Sequence, residues 1–398
     1  MKPIDLDILL KEMLESHAGV SDLVFSVGRP PQVEAFGVLK NASGLHGTES
    51  LSAYQVEQVA LAIIGGEKRL LRELFSFGSC DCSYSMGGAA RFRVNIFRQQ
   101  GKFGVVMRKA QSEVPTLNTL QLPPIFRDIA RVKNGLVLVT GATGSGKTTS
   151  LAAILNEINE TQPVHVVTLE DPIEYVHAHK IATFHQRELG ADFDSYANGL
   201  RAALRQAPKV ILVGEMRDRE SVEVALAAAE TGHLVLSTLH TIDAGQTVNR
   251  ILGMFESKEQ QQIRLRLADT LRFVVSQRLV PNELGGRLLL TEVMGTNLRV
   301  REAVALGENE NRNFYDIIEA SQTFGWMTID YSIICAYKEG LINETVAELY
   351  ATRKGIVTRG MDDIRKSLGI EADKESGLHL EQLNAGKRKR GFFRAVGQ

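Results

Sequence analysis

The segment GATGSGKT, residues 141–148, fits the spacing G-x-x-x-x-G-K-[ST] in full. Its glycines let backbone N–H groups turn inward around an anion, and the helix expected after it presents its N-terminus to the same anion. Lys147 has the reach to contact the β- and γ-phosphates of a nucleotide, and the Thr148 hydroxyl is a suitable Mg²⁺ ligand. An ordinary glycine-rich turn is the alternative, but an apolar run precedes the motif and a helix-compatible segment follows it, which favours a phosphate site. The predicted nucleotide-binding residues are Gly141, Ala142, Thr143, Gly144, Ser145, Gly146, Lys147, Thr148 and Thr149.

A carboxylate follows the short apolar run VILV, residues 210–213, within the sequence GEMRD. Because the carboxyl ends of parallel strands face the ligand crevice, Glu215 is placed to support Mg²⁺, directly or through water, or to orient the attacking water. A structural ion pair with Arg217 or Arg219 is the alternative for the same side chain. We expect a catalytic and metal-supporting role for Glu215.

A second acidic segment, TLEDPIE at 168–174, follows another apolar run. Pro172 ends the strand and introduces a turn. Glu170 is therefore a candidate to polarise water and to support Mg²⁺, with Asp171 and Glu174 nearby. Taken alone, a solvated acidic turn is an equally good interpretation.

Two histidines, His233 and His240, bracket the apolar run that contains Leu234-Val235-Leu236. His240 lies just beyond that run, at the crevice end, where it can hydrogen-bond a γ-phosphate and respond to its loss. A satisfied structural histidine is the commoner role of an isolated His. The nine His show no H-E-x-x-H spacing, so a transition-metal site is not expected.

These candidate residues stand at the ends of short apolar runs that alternate with helical or mixed segments. Runs without polar alternation are typical of parallel strands buried on both faces. The predicted strands are Gly135–Thr140, Val164–Leu169, Val210–Val213 and His233–Ser237. After about residue 295 the pattern becomes mostly helical, so we expect an α/β core followed by a helical part.

The first 110 residues have the pattern of a small α+β domain. Arg91–Phe97 alternates with a period of two, and Phe103–Arg108 follows the turn Gln99-Gln100-Gly101, which predicts a hairpin. Three prolines between residues 111 and 124 indicate a linker. The expected organisation is an α+β domain at 1–110, a linker at 111–123, an α/β core at 124–295, a helical part at 296–370 and a basic tail at 371–398.

Composition excludes several classes of protein. The 398-residue chain has 46 Lys and Arg against 47 Asp and Glu, so a generally basic nucleic-acid coat is excluded and no nucleic-acid partner is expected. Three cysteines cannot build a disulfide framework or a four-cysteine zinc site, which favours reduced thiols in the cytoplasm. No apolar run approaches the roughly 18–20 residues that cross a bilayer, and the first 14 residues lack the apolar region of a secretory signal.

The last 13 residues form a local basic feature in an otherwise acidic chain. They carry Lys387, Arg388, Lys389, Arg390 and Arg394 and no acidic residue. Such a segment can lie on anionic lipid or on a membrane-associated partner protein. A solvated, disordered end is the alternative.

The motifs GATGSGKT, TLEDPIE, VILVGEMRD and TGHLVLSTLHT occur in this order. Together they resemble the hexameric ATPases of the secretion superfamily, and specifically the type IV pilus retraction ATPases (the PilT/PilU type). The resemblance implies a PAS-like N-terminal domain, a RecA-like P-loop ATPase core, and ATP with Mg²⁺ between the two. It also implies a homo-hexameric motor that retracts pili and drives twitching motility. Such a motor works in the cytoplasm, peripherally at the inner membrane, on a pilus platform protein.

The resemblance also implies roles for individual residues. The family's Walker A motif maps onto 141–148, its Asp box onto 168–174, its Walker B motif onto 210–218 and its His box onto 231–241. Catalytic roles then fall to Glu215, Glu170 and His240, and His233 joins the nucleotide-binding set. The strand RFRVN is also similar to the family's, which implies phosphate-sensing arginines among Arg91, Arg93 and Arg108. A salt bridge on the strand face is an equal alternative for each arginine.

The chain departs from the family pattern in one helix that is tied to retraction, A-I-R-N-L-I-R-E-G-K. The matching stretch, residues 299–308, reads RVREAVALGE, in which Arg301 is kept and the second Arg and the Glu are absent. This departure suggests an alternative function, an accessory coupling ring that works beside a second, paralogous retraction ATPase. A pilus-extension or type II secretion ATPase is a further alternative, but those relatives carry a tetracysteine motif that three cysteines cannot supply.

Overall fold

A computed structural model describes residues 5–43, 49–87, 90–110, 113–310 and 312–367. Within these ranges the chain divides into two compact units. The first unit runs to Arg278 and includes Glu292–Met327, and the second comprises Leu279–Thr291 and the chain from Thr328 onward. The predicted basic tail at 371–398, with Lys387 and its neighbours, lies outside the described residues.

The first unit begins with an antiparallel sheet in which every strand except the exposed β3 (Val38–Asn41) has buried residues. In the strand RFRVNIF, Phe92, Val94 and Ile96 are fully buried, and the alternate positions face outward. The sheet order is β3-β2-β1-β6-β5-β4. Its strands are β1 (Val20–Phe25), β2 (Gln32–Ala35), β3 (Val38–Asn41), β4 (Ser79–Met86), β5 (Ala90–Gln99) and β6 (Lys102–Lys109), and the helices beside them are α1 (Leu6–Glu15), α2 (Ala53–Ile64) and α3 (Lys68–Phe77). The antiparallel pairing of β5 with β6 confirms the predicted hairpin.

The second sheet is mainly parallel and has the order β13-β12-β7-β11-β10-β8-β9. Strands β12 and β13 each continue from one unit into the other. The central strands of this sheet are buried on both faces, as expected for apolar runs covered by helices. The strands are β7 (Gly135–Thr140), β8 (His165–Glu170), β9 (Thr183–Glu188), β10 (Val210–Val213), β11 (Leu234–Leu239), β12 (Leu271–Pro281) and β13 (Arg287–Gly295). The helices are α4 (Ile125–Ala130), α5 (Lys147–Thr161), α6 (Tyr196–Ala203), α7 (Arg219–Glu230), α8 (Ala244–Leu252), α9 (Ser257–Thr270), α10 (Leu298–Leu306) and α11 (Phe314–Glu319). The predicted α/β core with parallel strands is confirmed.

The second unit packs three helices around its own apolar cluster. These helices are α12 (Ile329–Lys338), α13 (Glu344–Tyr350) and α14 (Lys354–Ser367). Ile333, Ala347 and Met361 are fully buried in the cluster. The buried carboxylate of Asp330 accepts the backbone N–H groups of Thr352 at 2.7 Å and Arg353 at 2.9 Å, just before α14 begins.

The described helices include none that is long and apolar enough to cross a bilayer. The helices predicted after residue 295 are confirmed over α10 to α13. Five strands were not predicted: β3, β4, β9, β12 and β13. Strand β9 has the sequence TFHQRE, at the edge of its sheet, and its polar residues hide the strand pattern.

Candidate functional site

The P-loop (residues 141–148), Glu170, Glu215 and His240 meet where the central parallel strands end, at the carboxyl edge of the sheet. Strands β7, β8, β10 and β11 run in the same direction, so their carboxyl ends lie side by side. The P-loop follows β7, Glu170 ends β8, Glu215 follows β10 and His240 follows β11. This is the edge at which parallel α/β sheets bind ligands.

The P-loop conformation requires glycine at its first position. Gly141 has φ +143°, and a Cβ there would lie 2.5 Å from the carbonyl oxygen of Gln277 and 2.5 Å from Oγ of Ser145. Gly144 and Gly146 also have positive φ values, +78° and +90°. Such backbone lets successive N–H groups converge on an anion, and α5 begins directly behind it.

Lys147 is buried in the P-loop and bonds to the loop itself. Its Nζ donates to the carbonyl oxygens of Gly141 at 2.8 Å and Ala142 at 3.0 Å. Burial lowers the pKa of Lys147, while the nearby carboxylates of Glu215 and Glu174 act in the opposite direction. Among the described residues, the ammonium has the two loop carbonyls as its hydrogen-bond partners, and a phosphate anion would be a stronger one.

The chemistry of the donor set fits a phosphate group with Mg²⁺. Ser145 Oγ is buried within the loop and has no hydrogen-bond partner among the described residues. Thr148 is exposed at the first turn of α5, and Thr149 Oγ1 lies 3.3 Å from the hydroxyl of Tyr175. Over the described ranges, no group of three His, Cys, Asp or Glu side chains is placed to hold a metal ion. This is expected for Mg²⁺ that is held by one or two protein groups together with nucleotide phosphates.

Glu215 contacts two side chains, one at each carboxylate oxygen. Oε1 pairs with the guanidinium of Arg217, and Oε2 lies 3.5 Å from Nε2 of His240. The Arg217 pair proposed as an alternative to catalysis is therefore present. Arg217 is 70% exposed and Glu215 only 12%, so this ion pair is largely open to water on the arginine side.

Glu170 is buried beside Glu215 and is hydrogen-bonded. Its Oε1 accepts the hydroxyl of Thr168 at 2.6 Å and Nε2 of Gln186 at 3.1 Å. Burial raises the pKa of Glu170, and the bonds from Thr168 and Gln186 partly oppose that rise. The solvated turn considered from the sequence does not describe this side chain.

The three candidate arginines have different surroundings. Arg91 bonds to Glu188 at 2.5 Å and to Ser83 Oγ at 2.9 Å, and Arg108 bonds to Asp22 at 2.8 Å. Arg93 lies opposite Arg108 in the β5–β6 register, and for Arg93 no ion pair is found among the described residues.

A cavity of about 450 Å³ lies between the first sheet and the carboxyl edge of the parallel sheet, which we call the nucleotide edge. Its lining includes Arg93 and Arg108 on one side and Thr149, Glu174 and Tyr175 on the other. The cavity therefore brings two of the three candidate arginines to the P-loop helix, whereas Arg91 is held by Glu188 outside its lining.

The structure does not bring His233 to this edge. His233 precedes β11, and its carbonyl oxygen accepts the N–H of Gly135 at the start of β7. Its ring Nδ1 lies 3.0 Å from the carbonyl oxygen of Ala228. The length of β11 separates it from His240, a distance of roughly 20 Å at about 3.3 Å per residue.

Three residues of this region were not identified from the sequence. Gln186 and Glu188 lie on β9 and bond to Glu170 and Arg91, and Tyr175 faces Thr149. A period-two search of residues 183–188 would have placed Gln186 and Glu188 on the same strand face. The Tyr175 contact depends on the turn after Pro172 and has no local signal.

Comparison with known proteins gives a family match. The family described as Type II/IV secretion system protein matches residues 84–304. The chain is 37% identical over 338 residues to the type IV pilus retraction ATPase PilT of Pseudomonas aeruginosa, covering 85% of this chain and 96% of that protein. It is 35% identical over 386 residues to the type IV pilus ATPase PilU of the same organism, covering 96% of each.

Solved structures agree with this match. A crystal structure of the pilus retraction motor PilT with bound ADP has a TM-score of 0.79 at 38% identity, and the alignment covers 89% of this chain and 99% of that one. The ATPase DotB of Legionella pneumophila has a TM-score of 0.73 at 30% identity, covering 86% and 95%.

Proposed function

Because the chain belongs to the Type II/IV secretion system protein family, with a RecA-like ATPase core, we propose that it is an ATP-hydrolysing motor for type IV pilus retraction and twitching motility. One observation carries the proposal. Lys147, Glu170, Glu215 and His240 converge at one sheet edge in a chain that aligns with a pilus retraction motor over 89% of its length.

The chain's own residues supply most of the proposed chemistry. Lys147 leaves the carbonyl oxygens of Gly141 and Ala142 and bonds to the β- and γ-phosphates. Glu215 leaves Arg217 and orients the attacking water, while His240 holds the other carboxylate oxygen.

Thr148, with Glu170 and Glu215 directly or through water, would hold Mg²⁺, which supplies charge neutralisation on the phosphates when bound. Arg93 and Arg108 face the same space from the first sheet and add positive charge near the phosphates. The phosphate-sensing role is therefore assigned to Arg93 and Arg108, because both line this cavity and Arg91 does not. Arg108 also pairs with Asp22, so Arg93 is the stronger candidate of the two.

The assembly is part of the same proposal. A homo-hexameric ring, docked on a pilus platform protein at the cytoplasmic side of the inner membrane, is the arrangement that the family resemblance implies. The support is the near full-length match to PilT and PilU.

Two alternatives have specific observations for or against them. The helix α10 keeps Arg301 but ends at Leu306 before Gly307, without the second Arg and the Glu of the retraction helix. This favours the accessory coupling ring as the second candidate. A type II secretion ATPase is disfavoured, since the match to protein E of Xanthomonas campestris covers only 30% of that protein.

The test is steady-state ATP turnover of the purified chain, with mass determination and Lys147→Ala as control. Hexameric wild type that turns over ATP, with loss of turnover in Lys147→Ala, is the expected result. Retraction is then measured as twitching in a host strain whose own copy of this gene is deleted and replaced by the wild-type gene or by Lys147→Ala. ATP binding without turnover would favour the accessory coupling ring over the motor. Absence of ATP binding would contradict both candidates.

A further inference from the structure

Strand β12 carries a glutamine where it passes the P-loop. Ser276 pairs with Thr140, the last residue of β7, so Gln277 comes to lie beside Gly141. The Gln277 side chain is only 1% exposed, and its Nε2 donates to Oγ of Ser150 at 2.7 Å. The main-chain carbonyl oxygen of Gln277 lies 2.5 Å from the position that a Cβ on Gly141 would take. Gln277 therefore touches the first residue of the P-loop and also the helix turn behind it.

We propose that Gln277 is a positioning residue that holds the first residue of the P-loop and the helix turn behind the loop in the conformation that receives phosphate, and this rests on the proposed ATPase function. The loop contains glycines at positive φ, and glycine has the widest backbone freedom of any residue. Without a fixed frame, the N–H groups of the loop would have to be ordered when phosphate binds, which lowers affinity. The main-chain carbonyl of Gln277 leaves no room for a Cβ at Gly141, and its side chain hydrogen-bonds to Ser150.

The polar character of this side chain is not explained by packing. Oε1 of Gln277 is buried and has no hydrogen-bond partner among the described residues. A buried acceptor without a donor destabilises a fold, so a leucine of similar volume would serve stability at least as well. Among the described residues, this side chain makes one hydrogen bond, to Ser150, and that contact accounts for a glutamine here.

The test compares Gln277→Leu, Ser150→Ala and the double variant with wild type. The Kd of fluorescent ADP and the kcat and KM for ATP are measured for each. Both single variants are expected to raise Kd and KM about fivefold, the usual effect of one lost hydrogen bond, with kcat within about twofold. The double variant should equal either single one, because both remove the same contact.

Thr270→Val is the control for Ser150→Ala. Thr270 is buried at the end of α9, and its Oγ1 donates to the carbonyl oxygen of Arg266 at 2.7 Å. Its Kd and KM should match those of wild type. This control separates an effect at the P-loop from loss of any buried, hydrogen-bonded hydroxyl.

Several outcomes would overturn the proposal. These are single variants with wild-type Kd and KM, a double variant with an effect near the product of about 25-fold, or an equal effect in Thr270→Val. If Gln277→Leu does not fold, Ser150→Ala decides alone. If wild type binds ADP but does not turn over ATP, the proposed function fails and the ADP affinities still decide the role of Gln277.

Discussion

Nε2 of His240 lies 3.5 Å from Oε2 of Glu215, and so links the end of β11 to the segment after β10. The other carboxylate oxygen pairs with Arg217. A water that Glu215 orients must share one carboxylate oxygen with a protein partner or displace that partner. The exposed Arg217 is the partner that water can replace.

Substitution of Glu215 by Gln should separate binding from chemistry. Gln keeps the size of the side chain but cannot accept a proton from water, so kcat should fall by about 100-fold or more. The Kd of fluorescent ADP should stay within about twofold of wild type, since Glu215 is not a P-loop residue. Lys147→Ala is the contrasting control and should lose nucleotide affinity. Turnover by Glu215→Gln at the wild-type rate would remove Glu215 from the mechanism.

Substitution of His240 by Asn should reduce turnover less severely. His240 acts on Glu215 and not on the P-loop, so kcat should fall about tenfold with KM nearly unchanged. In the Glu215→Gln background the same change should have no further effect, since the two residues act as one unit. His17→Asn is the control and should retain wild-type kinetics. His17 lies between α1 and β1, in the region of the first sheet. A raised KM with normal kcat would assign His240 to nucleotide binding instead.

Substitution of Arg91 and substitution of Arg93 should have different effects, because Arg91 pairs with a buried carboxylate and Arg93 lines the cavity. Arg93→Ala should raise the KM for ATP about tenfold, because Arg93 faces the cavity beside Thr149. Arg91→Ala should instead lower the free energy of unfolding by about 3 kcal/mol, because it leaves the buried carboxylate of Glu188 without its cation.

Denaturant unfolding and ATP kinetics on both variants separate these two roles. The double variant Arg91→Ala with Glu188→Gln should recover part of the stability, since no buried charge is then left unpaired. If Arg91→Ala raised KM while Arg93→Ala did not, Arg91 and not Arg93 would be the phosphate-sensing residue.

The sequence supports some parts of this site and not others. The nucleotide edge was predictable, because Lys147, Glu170, Glu215 and His240 each follow an apolar run whose direction is set by a parallel sheet. The Arg217 partner of Glu215 was among the predicted alternatives. Gln186, the partner of Glu170, was not predictable, because it lies on the polar strand β9. Gln277 is separated from Ser150 by 127 positions, and nothing near either residue indicates their bond. The arginines show the same limit, because strand alternation places Arg91 and Arg93 on one face and only the packed structure distinguishes their partners.

The burial of Glu170 predicts a pH-dependent stability. Its folded-state pKa is raised above the ordinary value of 4.5, chiefly by burial. Such a group contributes its full stability below the unfolded pKa, and that stability is lost as pH rises through the folded pKa. Glu170→Gln cannot ionise, so it should be more stable than wild type at pH 8, by about 1–3 kcal/mol, the usual penalty for an imperfectly paired buried group. The advantage should shrink toward pH 4.5.

Thermal unfolding midpoints of both proteins from pH 4.5 to pH 8 measure this difference. Glu348→Gln, an exposed carboxylate on α13, is the matched control and should show no pH-dependent difference from wild type. A Glu170→Gln advantage that is the same at every pH would mean that Glu170 does not titrate in this window. An advantage that grows toward acid pH would mean that the folded state lowers the pKa of Glu170, so that Thr168 and Gln186 outweigh burial.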